Sequence, residues 1–288
     1  MGATIAIGQA RALLCASRAL DLARPRVMGI VNVTADSFSD GGRFVDPARA
    51  LAHARRLLDD GADIVDVGGE STRPGAEPVG EAEELDRVLP LVEALARDGA
   101  LVSVDTTKPG VMRAAVAAGA AMINDVRALQ APGALEAAAA SQAAVCLMHM
   151  RGEPRTMQQG PHYADVVGEV RAFLSVRARA CEAAGIARER IVVDPGFGFG
   201  KTVEHNFALL RGLAAIVALG YPVLVGWSRK SSLGAVTGRG VHDRLAASLA
   251  AALACVARGA AIVRVHDVRE TVDALKVWGA AGPPGGGG

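Results

Sequence analysis

Residues 29–42, with the sequence GIVNVTADSFSDGG, combine side chains that can bind a metal ion and a polar ligand. A short apolar run leads to Asn32, and the loop after it is rich in carboxylate and hydroxyl groups, including Asp40. The Asp46-Pro47 pair further along is typical of a helix start. Because Mg²⁺ is often held by few protein oxygens together with phosphate oxygens, Asn32 is a candidate Mg²⁺ ligand. A solvated connection is the alternative, since loop polarity alone is not specific.

Polar side chains also follow the other apolar runs of the chain. Carboxylate and amide groups at the ends of three of these runs, Asp105, Asn124 and Asp194, suit a flat heterocycle with several N–H groups and a carbonyl. An Asp at the end of a strand can instead cap the next helix, and Pro109 keeps that alternative open for Asp105.

Several cations stand at similar positions. Lys230 follows the apolar run YPVLVG, where a lysine either faces solvent at a helix start or lies in a pocket. The neighbouring Ser228 and Ser231 favour a pocket that binds a carboxylate. Further cations on separate loops suit a phosphate or diphosphate, because arginine makes forked contacts with such anions. These cations are Arg73, Arg264 and His266.

The segment DPGFGFGK, residues 194–201, is rich in glycine but lacks the spacing of a phosphate-binding P-loop. Aromatic residues make up only 3% of the chain, so Phe197 or Phe199 is a candidate for stacking on an aromatic substrate. The sequence has no GxSxG motif and no spacing of His, Asp and Glu typical of a tightly held transition metal.

The elements that position these residues alternate regularly along the chain. Apolar strands are predicted at 26–31, 64–67, 101–104, 121–123, 144–148, 191–193, 223–225 and 261–265. Helices are predicted at 47–60, 81–97, 109–118, 132–140, 163–184, 203–219, 241–258 and 268–278. Strands that are apolar throughout are buried on both faces, which favours a parallel sheet. Eight such repeats predict a single-domain (β/α)8 barrel, an α/β fold whose functional groups share the rim at the carboxyl ends of the strands. A doubly wound sheet is the alternative, but no GxGxxG opens the first helix.

Composition narrows the function classes. The net charge of +1 gives no indication of a nucleic-acid or membrane surface as partner. No apolar run is long enough to span a membrane, so we expect a cytoplasmic protein. Four scattered cysteines indicate reduced thiols. We interpret residues 1–24 as an extension, 25–280 as the catalytic barrel and 281–288 as a disordered Gly/Pro tail. Removing residues 1–22 is therefore expected to leave the melting temperature and the activity nearly unchanged.

The chain closely resembles the dihydropteroate synthase family. The matching stretches are GIVNVTADSFSDGG, DVGGESTRPGAEPV, SVDTTKP, GAAMINDV, LMHMRGEPRTMQ, DPGFGFGKT, VGWSRKS and RVHDV, in the family's order from residue 27 to about residue 278. The resemblance implies a (β/α)8 barrel, usually a homodimer. It also implies that 6-hydroxymethyl-7,8-dihydropterin diphosphate condenses with 4-aminobenzoate in folate synthesis, with sulfonamides binding at the aminobenzoate site and Mg²⁺ as cofactor.

The resemblance also implies roles for single residues. Mg²⁺ would be bound by Asn32. The catalytic residues would be Asp105, Lys230, Arg264, His266 and Asp40. The pterin diphosphate would be bound by Thr72, Asp105, Asn124, Asp194, Lys230, Arg264 and His266. The aminobenzoate would be bordered by Arg73, Pro74, Phe199, Lys230 and Ser231.

Departures from the family pattern are few. Ala35 stands where proline is usual, Gly110 where Glu is common, and Trp227 where a smaller residue is usual. If loop 33–42 orders only on Mg²⁺ and diphosphate, sulfonamides should bind poorly to the enzyme alone. A pterin-binding methyltransferase and a noncatalytic pterin-binding paralogue remain as alternative functions.

Overall fold

The computed structural model describes residues 12–34, 46–71, 76–153 and 155–282. Within these ranges the strands are β1 (Ala12–Cys15), β2 (Arg18–Asp21), β3 (Arg26–Asn32), β4 (Ile64–Gly68), β5 (Val102–Asp105), β6 (Met122–Asp125), β7 (Ala144–Met148), β8 (Ile191–Asp194), β9 (Leu224–Val225) and β10 (Ile262–Val265). The helices are α1 (Pro47–Asp59), α2 (Glu81–Arg97), α3 (Pro109–Ala117), α4 (Ala134–Ala139), α5 (Val166–Ala183), α6 (Val203–Arg211), α7 (Leu213–Val217), α8 (Ser231–Thr237), α9 (Leu245–Val256) and α10 (Val268–Ala281). None of these helices is both long and apolar enough to cross a bilayer.

Strands β3 to β10 form one parallel sheet in the order β8-β7-β6-β5-β4-β3-β10-β9. The sheet closes on itself between its two ends, where a parallel bridge joins Val193 to Val223 and the Val193 amide donates to the Pro222 carbonyl over 3.0 Å. The predicted (β/α)8 barrel is thereby confirmed.

The barrel strands alternate between two buried surfaces. Side chains such as Val65 and Val67 pack with the surrounding helices in the larger core. Side chains of the opposite parity, such as Met28 and Ile64, fill the barrel interior as a second cluster. Because successive side chains of a strand point to opposite faces, the inward parity continues to the polar residues at the carboxyl ends of the strands.

The N-terminal segment corrects the sequence interpretation. Strands β1 and β2 pair antiparallel as a hairpin, and three of the segment's apolar side chains, Leu13, Cys15 and Leu22, are buried in the interior cluster of the barrel. The amide of Ala16 also donates to the Gln142 carbonyl over 3.0 Å. The hairpin therefore closes the bottom of the barrel. Removal of residues 12–22 would expose this cluster, which argues against the expectation that residues 1–22 are dispensable.

Two of the predicted helices are interrupted in the structure. The helix predicted at 203–219 is divided at Gly212, where a Cβ atom would lie 2.7 Å from the Val167 side chain of α5, so glycine permits the close approach. The predicted helix 241–258 begins as a short 3₁₀ turn, Val241–Asp243, ahead of α9. The short helix α8 was not predicted, since its seven residues carry little periodicity.

The cysteines and the start of α1 agree with the sequence prediction. All four cysteines are buried and free, as predicted. Asp46 caps α1, with its carboxylate accepting from the Ala48 amide over 2.9 Å and Pro47 in the first turn. Residues 283–288, most of the expected Gly/Pro tail, lie outside the described ranges.

Candidate functional site

The candidate site lies at the carboxyl-terminal rim of the barrel. Strand ends bring together the predicted residues Asn32 of β3, Asp105 of β5, Asn124 of β6, Asp194 of β8 and Arg264 of β10. Each has the inward parity of its strand. Parallel strands end at the same side of a barrel, and this common end places side chains from distant parts of the chain in one mouth.

Arg264 is the centre of the charged network. Its Nε donates to Asp66 Oδ2 over 2.6 Å, and its Nη2 donates to Asp105 Oδ2 over 2.7 Å. Asn124 Nδ2 donates to the same Asp66 oxygen over 3.0 Å. Burial disfavours the charged form of Arg264, but the two carboxylates outweigh it and raise the pKa of the guanidinium.

The carboxyl group of Asp105 is poised for protonation near neutral pH. Burial raises its pKa to about 7, with the charge of Arg264 opposing the shift and Asp66 adding to it. The alternative role as a helix cap does not hold, because α3 begins after Lys108 and has no side-chain cap. Asp105 therefore combines a buried carboxyl with a charge partner, an environment often found at functional sites.

Asp194 is the last residue of β8 and precedes the glycine-rich loop. Its Oδ1 accepts the Gly196 amide over 2.7 Å, and the residue is 5% exposed. Burial raises the pKa of Asp194, while the Gly196 amide and the charge of Lys230 oppose the shift. The carboxyl group is thus held in place by backbone on one side and faces cations on the other.

Lys230 is the N-cap residue of α8 and is partly buried, and its side chain contacts the glycine-rich loop. Its Nζ donates to the Phe197 carbonyl and lies 4.2 Å from the centroid of the Phe199 ring. Burial lowers the pKa of Lys230 to about 7, although the charge of Asp194 favours the protonated form. Ser231 follows as the exposed first residue of α8.

The structure separates the two phenylalanine candidates. Phe197 is fully buried and stacks on Trp227, with ring centroids 4.4 Å apart and an interplanar angle of 9°. Trp227 Nε1 also donates to Ser232 Oγ over 2.8 Å. Phe197 is therefore a core residue, whereas the partly exposed Phe199 stays available to a ligand.

The two neighbours that precede Lys230 have positioning contacts. Arg229 adopts a left-handed φ of 59° and forms an ion pair with Asp267. Ser228 Oγ accepts the His266 amide over 3.2 Å and lies 3.1 Å from His266 Nδ1. Ser228 thereby orients the imidazole of His266, and its expected contribution to a carboxylate site stays a prediction.

Some predicted site residues lie outside the described residues. They are Asp40, Thr72, Arg73 and Pro74, together with Ala35 and Phe38 of the first loop. Their roles stay predictions.

Two residues with central contacts were not assigned from the sequence. Asp66 lies inside β4, whereas the sequence signal for a site residue is a polar side chain at or just after the end of an apolar strand. Lys201, at the end of the GFGFGK turn, is 3% exposed and donates to carbonyls of that turn. The sequence signal for this residue was its position directly after the glycine-rich segment GFGFG, residues 196–200.

In the described ranges, His, Cys, Asp and Glu side chains form no group of three suited to holding a metal ion. Asn32, partly buried at the end of β3, offers one hard amide oxygen. This donor fits Mg²⁺, which keeps most of its ligands as water and substrate phosphate.

Comparisons with known proteins agree with this geometry. Residues 28–266 match the family model described as pterin binding enzyme. Dihydropteroate synthase of Escherichia coli K12 is 52% identical over 266 residues, covering 92% of this chain and 94% of that protein.

Two solved structures show the same similarity. Xanthomonas albilineans dihydropteroate synthase with 4-aminobenzoic acid superimposes with a TM-score of 0.89 at 55% identity, covering 95% of this chain and 98% of that one. The Burkholderia cenocepacia enzyme complexed with 7,8-dihydropteroate gives a TM-score of 0.86 at 53% identity, covering 94% and 96%.

Proposed function

The chain belongs to the dihydropteroate synthase family of pterin-binding enzymes, and we propose from this premise how its rim divides the reaction. The enzyme is a transferase that condenses 6-hydroxymethyl-7,8-dihydropterin diphosphate with 4-aminobenzoate. The products are 7,8-dihydropteroate and diphosphate, in folate synthesis. The observation that carries this function is the Arg264 network, which joins acceptors for a heterocycle to a cation for its diphosphate.

The pterin ring is assigned to Asp105, Asn124 and Asp194. Their buried carboxyl and amide groups match the N–H donors and the carbonyl of a pterin edge. A buried ligand donor without a partner costs about 1–3 kcal/mol, so these groups discriminate for the heterocycle. The high pKa of Asp105 also allows its carboxyl group to donate a hydrogen bond below about pH 7.

The diphosphate is assigned to Arg264 and His266, with Thr72 as a further predicted contact. Arg264 is held at two of its nitrogens by Asp66 and Asp105, so its position is fixed before substrate arrives. A pre-positioned cation stabilises the charge that develops on a leaving group without reorganisation. His266 is oriented by Ser228 for the same anion.

The aminobenzoate is assigned to the surface between Lys230, Phe199 and Ser231, with Arg73 and Pro74 as further predicted contacts. Lys230 supplies a cation for the carboxylate, and the Phe199 ring beside it supplies an aromatic face. Aromatic rings prefer offset or edge-to-face contacts, which suits a substrate with one benzene ring.

The reaction breaks the bond between the pterin methylene carbon and the diphosphate oxygen, and the electron pair leaves with diphosphate. The carboxylates of Asp105 and Asp194 favour the positive charge that develops on the pterin. The amine nitrogen of aminobenzoate then forms the new C–N bond and loses a proton. This route requires no covalent bond to the enzyme. Asp40 remains the predicted catalytic group of the first loop.

Asn32 would hold Mg²⁺ through its amide oxygen. When bound, the ion would neutralise part of the charge of the diphosphate. A cytoplasmic location is likewise part of the proposal.

We also propose that the chain forms a homodimer. Valine and leucine side chains near α8 are unusually exposed for apolar residues, with Val236 at 61%, Val241 at 45% and Leu245 at 38%. All three lie within residues 236–245, and exposed apolar residues that cluster are typical of an interface. Light scattering after gel filtration should give a dimer for the wild type and a monomer for Val236→Asp. Val176→Asp, at an exposed valine of α5, is the matched control and should remain a dimer.

The function is tested by incubating the purified chain with Mg²⁺, dihydropterin diphosphate and 4-aminobenzoate, with mass spectrometry of the products. Dihydropteroate is expected from the wild type and a large loss from Lys230→Met. If folded wild-type chain binds the pterin but yields no dihydropteroate, the chain is instead a noncatalytic pterin-binding protein.

A further inference from the structure

The loop from Gly196 to Gly200 carries both Phe197 and Phe199 and is pressed against the loop after β7. Its three glycines have φ values of 69°, 81° and 62°, a region that favours glycine. A Cβ atom at Gly196 would lie 1.9 Å from the His149 carbonyl oxygen, and one at Gly200 would lie 2.2 Å from the Arg151 carbonyl oxygen. The backbone of this loop therefore packs so closely against the loop after β7 that larger residues could not replace Gly196 or Gly200.

Side chains from outside hold every carbonyl of this loop. The five acceptors and their donors are Gly196 from Lys201 Nζ (2.9 Å), Phe197 from Lys230 Nζ, Gly198 from Gln158 Nε2 (2.6 Å), Phe199 from Lys201 Nζ (3.0 Å) and Gly200 from the Tyr163 hydroxyl (2.9 Å). Regular secondary structure satisfies few of these groups, so the loop depends on these side chains for its shape.

Lys201 contributes most to this arrangement. Besides the two loop carbonyls, its Nζ lies 3.0 Å from His149 Nδ1 and 3.3 Å from the His149 carbonyl oxygen. Burial lowers the pKa of Lys201 well below its ordinary value, whereas the four acceptors within 3.3 Å of Nζ favour the protonated form. Burial together with the Lys201 charge lowers the pKa of His149 to about 3, so the imidazole stays neutral and able to accept.

We infer that Lys201 is a positioning residue that fixes the Phe199 ring beside Lys230 and thereby sets the affinity for 4-aminobenzoate. Lys201 lies behind the loop at 3% exposure and acts through the carbonyls of Gly196 and Phe199. The Phe199 ring in turn lies 4.2 Å from Lys230 Nζ. This inference rests on the proposed assignment of Phe199 and Lys230 to the aminobenzoate.

The test compares Lys201→Met with Arg190→Met. Arg190 is also a buried cation that donates to backbone carbonyls, those of Ser141 and Ala143, but it lies at the opposite end of β8. Both variants should lower the melting temperature. Only Lys201→Met should raise the KM for 4-aminobenzoate, by about tenfold or more, with kcat at saturation within about threefold of the wild type.

The outcomes separate the inference from the function. If the wild type forms dihydropteroate and Lys201→Met keeps its KM, or if Arg190→Met raises KM equally, the positioning role is overturned. If the wild type forms no dihydropteroate, the proposed function fails instead. Should Lys201→Met not fold, Tyr163→Phe removes one donor to the Gly200 carbonyl. It should raise the same KM by about two- to fivefold, and an unchanged KM in this folded variant would contradict the inference.

Discussion

Arg264 and Asp105 are 159 residues apart in the chain, yet Arg264 Nη2 lies 2.7 Å from Asp105 Oδ2 at the barrel mouth. The pair joins a group assigned to the diphosphate with a group assigned to the pterin. If Asp105 is truncated, Arg264 keeps Asp66 as its remaining carboxylate partner. The neighbouring Asp66 shares the same guanidinium, so the three residues act as one unit.

Asp105→Asn should change how stability depends on pH. The pKa of Asp105 in the folded protein is about 7, above its ordinary value of 3.8, so the native state binds more protons than the unfolded state between these values. The contribution of Asp105 to stability is therefore lost as pH rises from about 4 to 7. Urea unfolding at pH 5, 6, 7 and 8 measures the free energy of unfolding of both proteins. Relative to the wild type, the variant should become more stable as the pH rises to about 7. A constant difference across this range would contradict the pKa shift.

Asp194→Ala should nearly abolish pterin binding. The carboxyl group is buried and its position is fixed by the Gly196 amide, so its loss leaves pterin N–H donors unpaired at about 1–3 kcal/mol each. Calorimetry with the pterin substrate is the measurement, and circular dichroism verifies folding. Asp194→Asn, which keeps the shape of the side chain, should bind with intermediate affinity. Wild-type affinity in a folded Asp194→Ala would remove the residue from the site.

Lys230 should make aminobenzoate binding sensitive to pH. Its pKa is lowered to about 7 by burial, so the ammonium group that binds the carboxylate is lost as pH rises through this value. The KM for 4-aminobenzoate should be flat below about pH 6 and rise by up to about tenfold per pH unit above pH 7. Lys230→Met should have a high KM without this rise. The same rise in the variant would assign it to another group.

The rim of the site could be predicted from the sequence. Residues such as Asn124 and Asp194 stand at the ends of apolar β-branched runs, and in a (β/α)8 barrel such positions share one rim. The sequence could not show which of Phe197 and Phe199 faces the ligand, since both lie in the same glycine-rich segment. Only the packing of Phe197 on Trp227 distinguishes them, and that contact joins segments 30 residues apart along the chain. The same contact gives Trp227 a structural role.

Buried contacts between distant segments could not be predicted. Lysine is usually a surface residue. Lys201 is buried because acceptors such as the carbonyl of His149, which directly follows the neighbouring strand β7, surround its amine. The hairpin of β1 and β2 was missed for a similar reason. Its strands have four residues each, too short for a clear alternation, and its partners are the bottom ends of the barrel strands.

Leu13→Ala should test the hairpin as part of the core. Leu13 is fully buried in the interior cluster, so its truncation should lower the free energy of unfolding by about 2–5 kcal/mol. Leu14→Ala is the matched control on the same strand, because Leu14 is 39% exposed and its loss should change stability by less than about 0.5 kcal/mol. Equal effects in chemical denaturation would show that the hairpin does not close the barrel.

Transfer of the dihydropterin-methyl group from diphosphate to the amine of 4-aminobenzoate is the central reaction assigned to this rim. The most direct measurement is diphosphate release in the presence of Mg²⁺, with each substrate alone and with both together. We expect fast release only with both substrates, one diphosphate for each dihydropteroate formed. Equal release without 4-aminobenzoate, or no release with both substrates bound, would contradict this assignment.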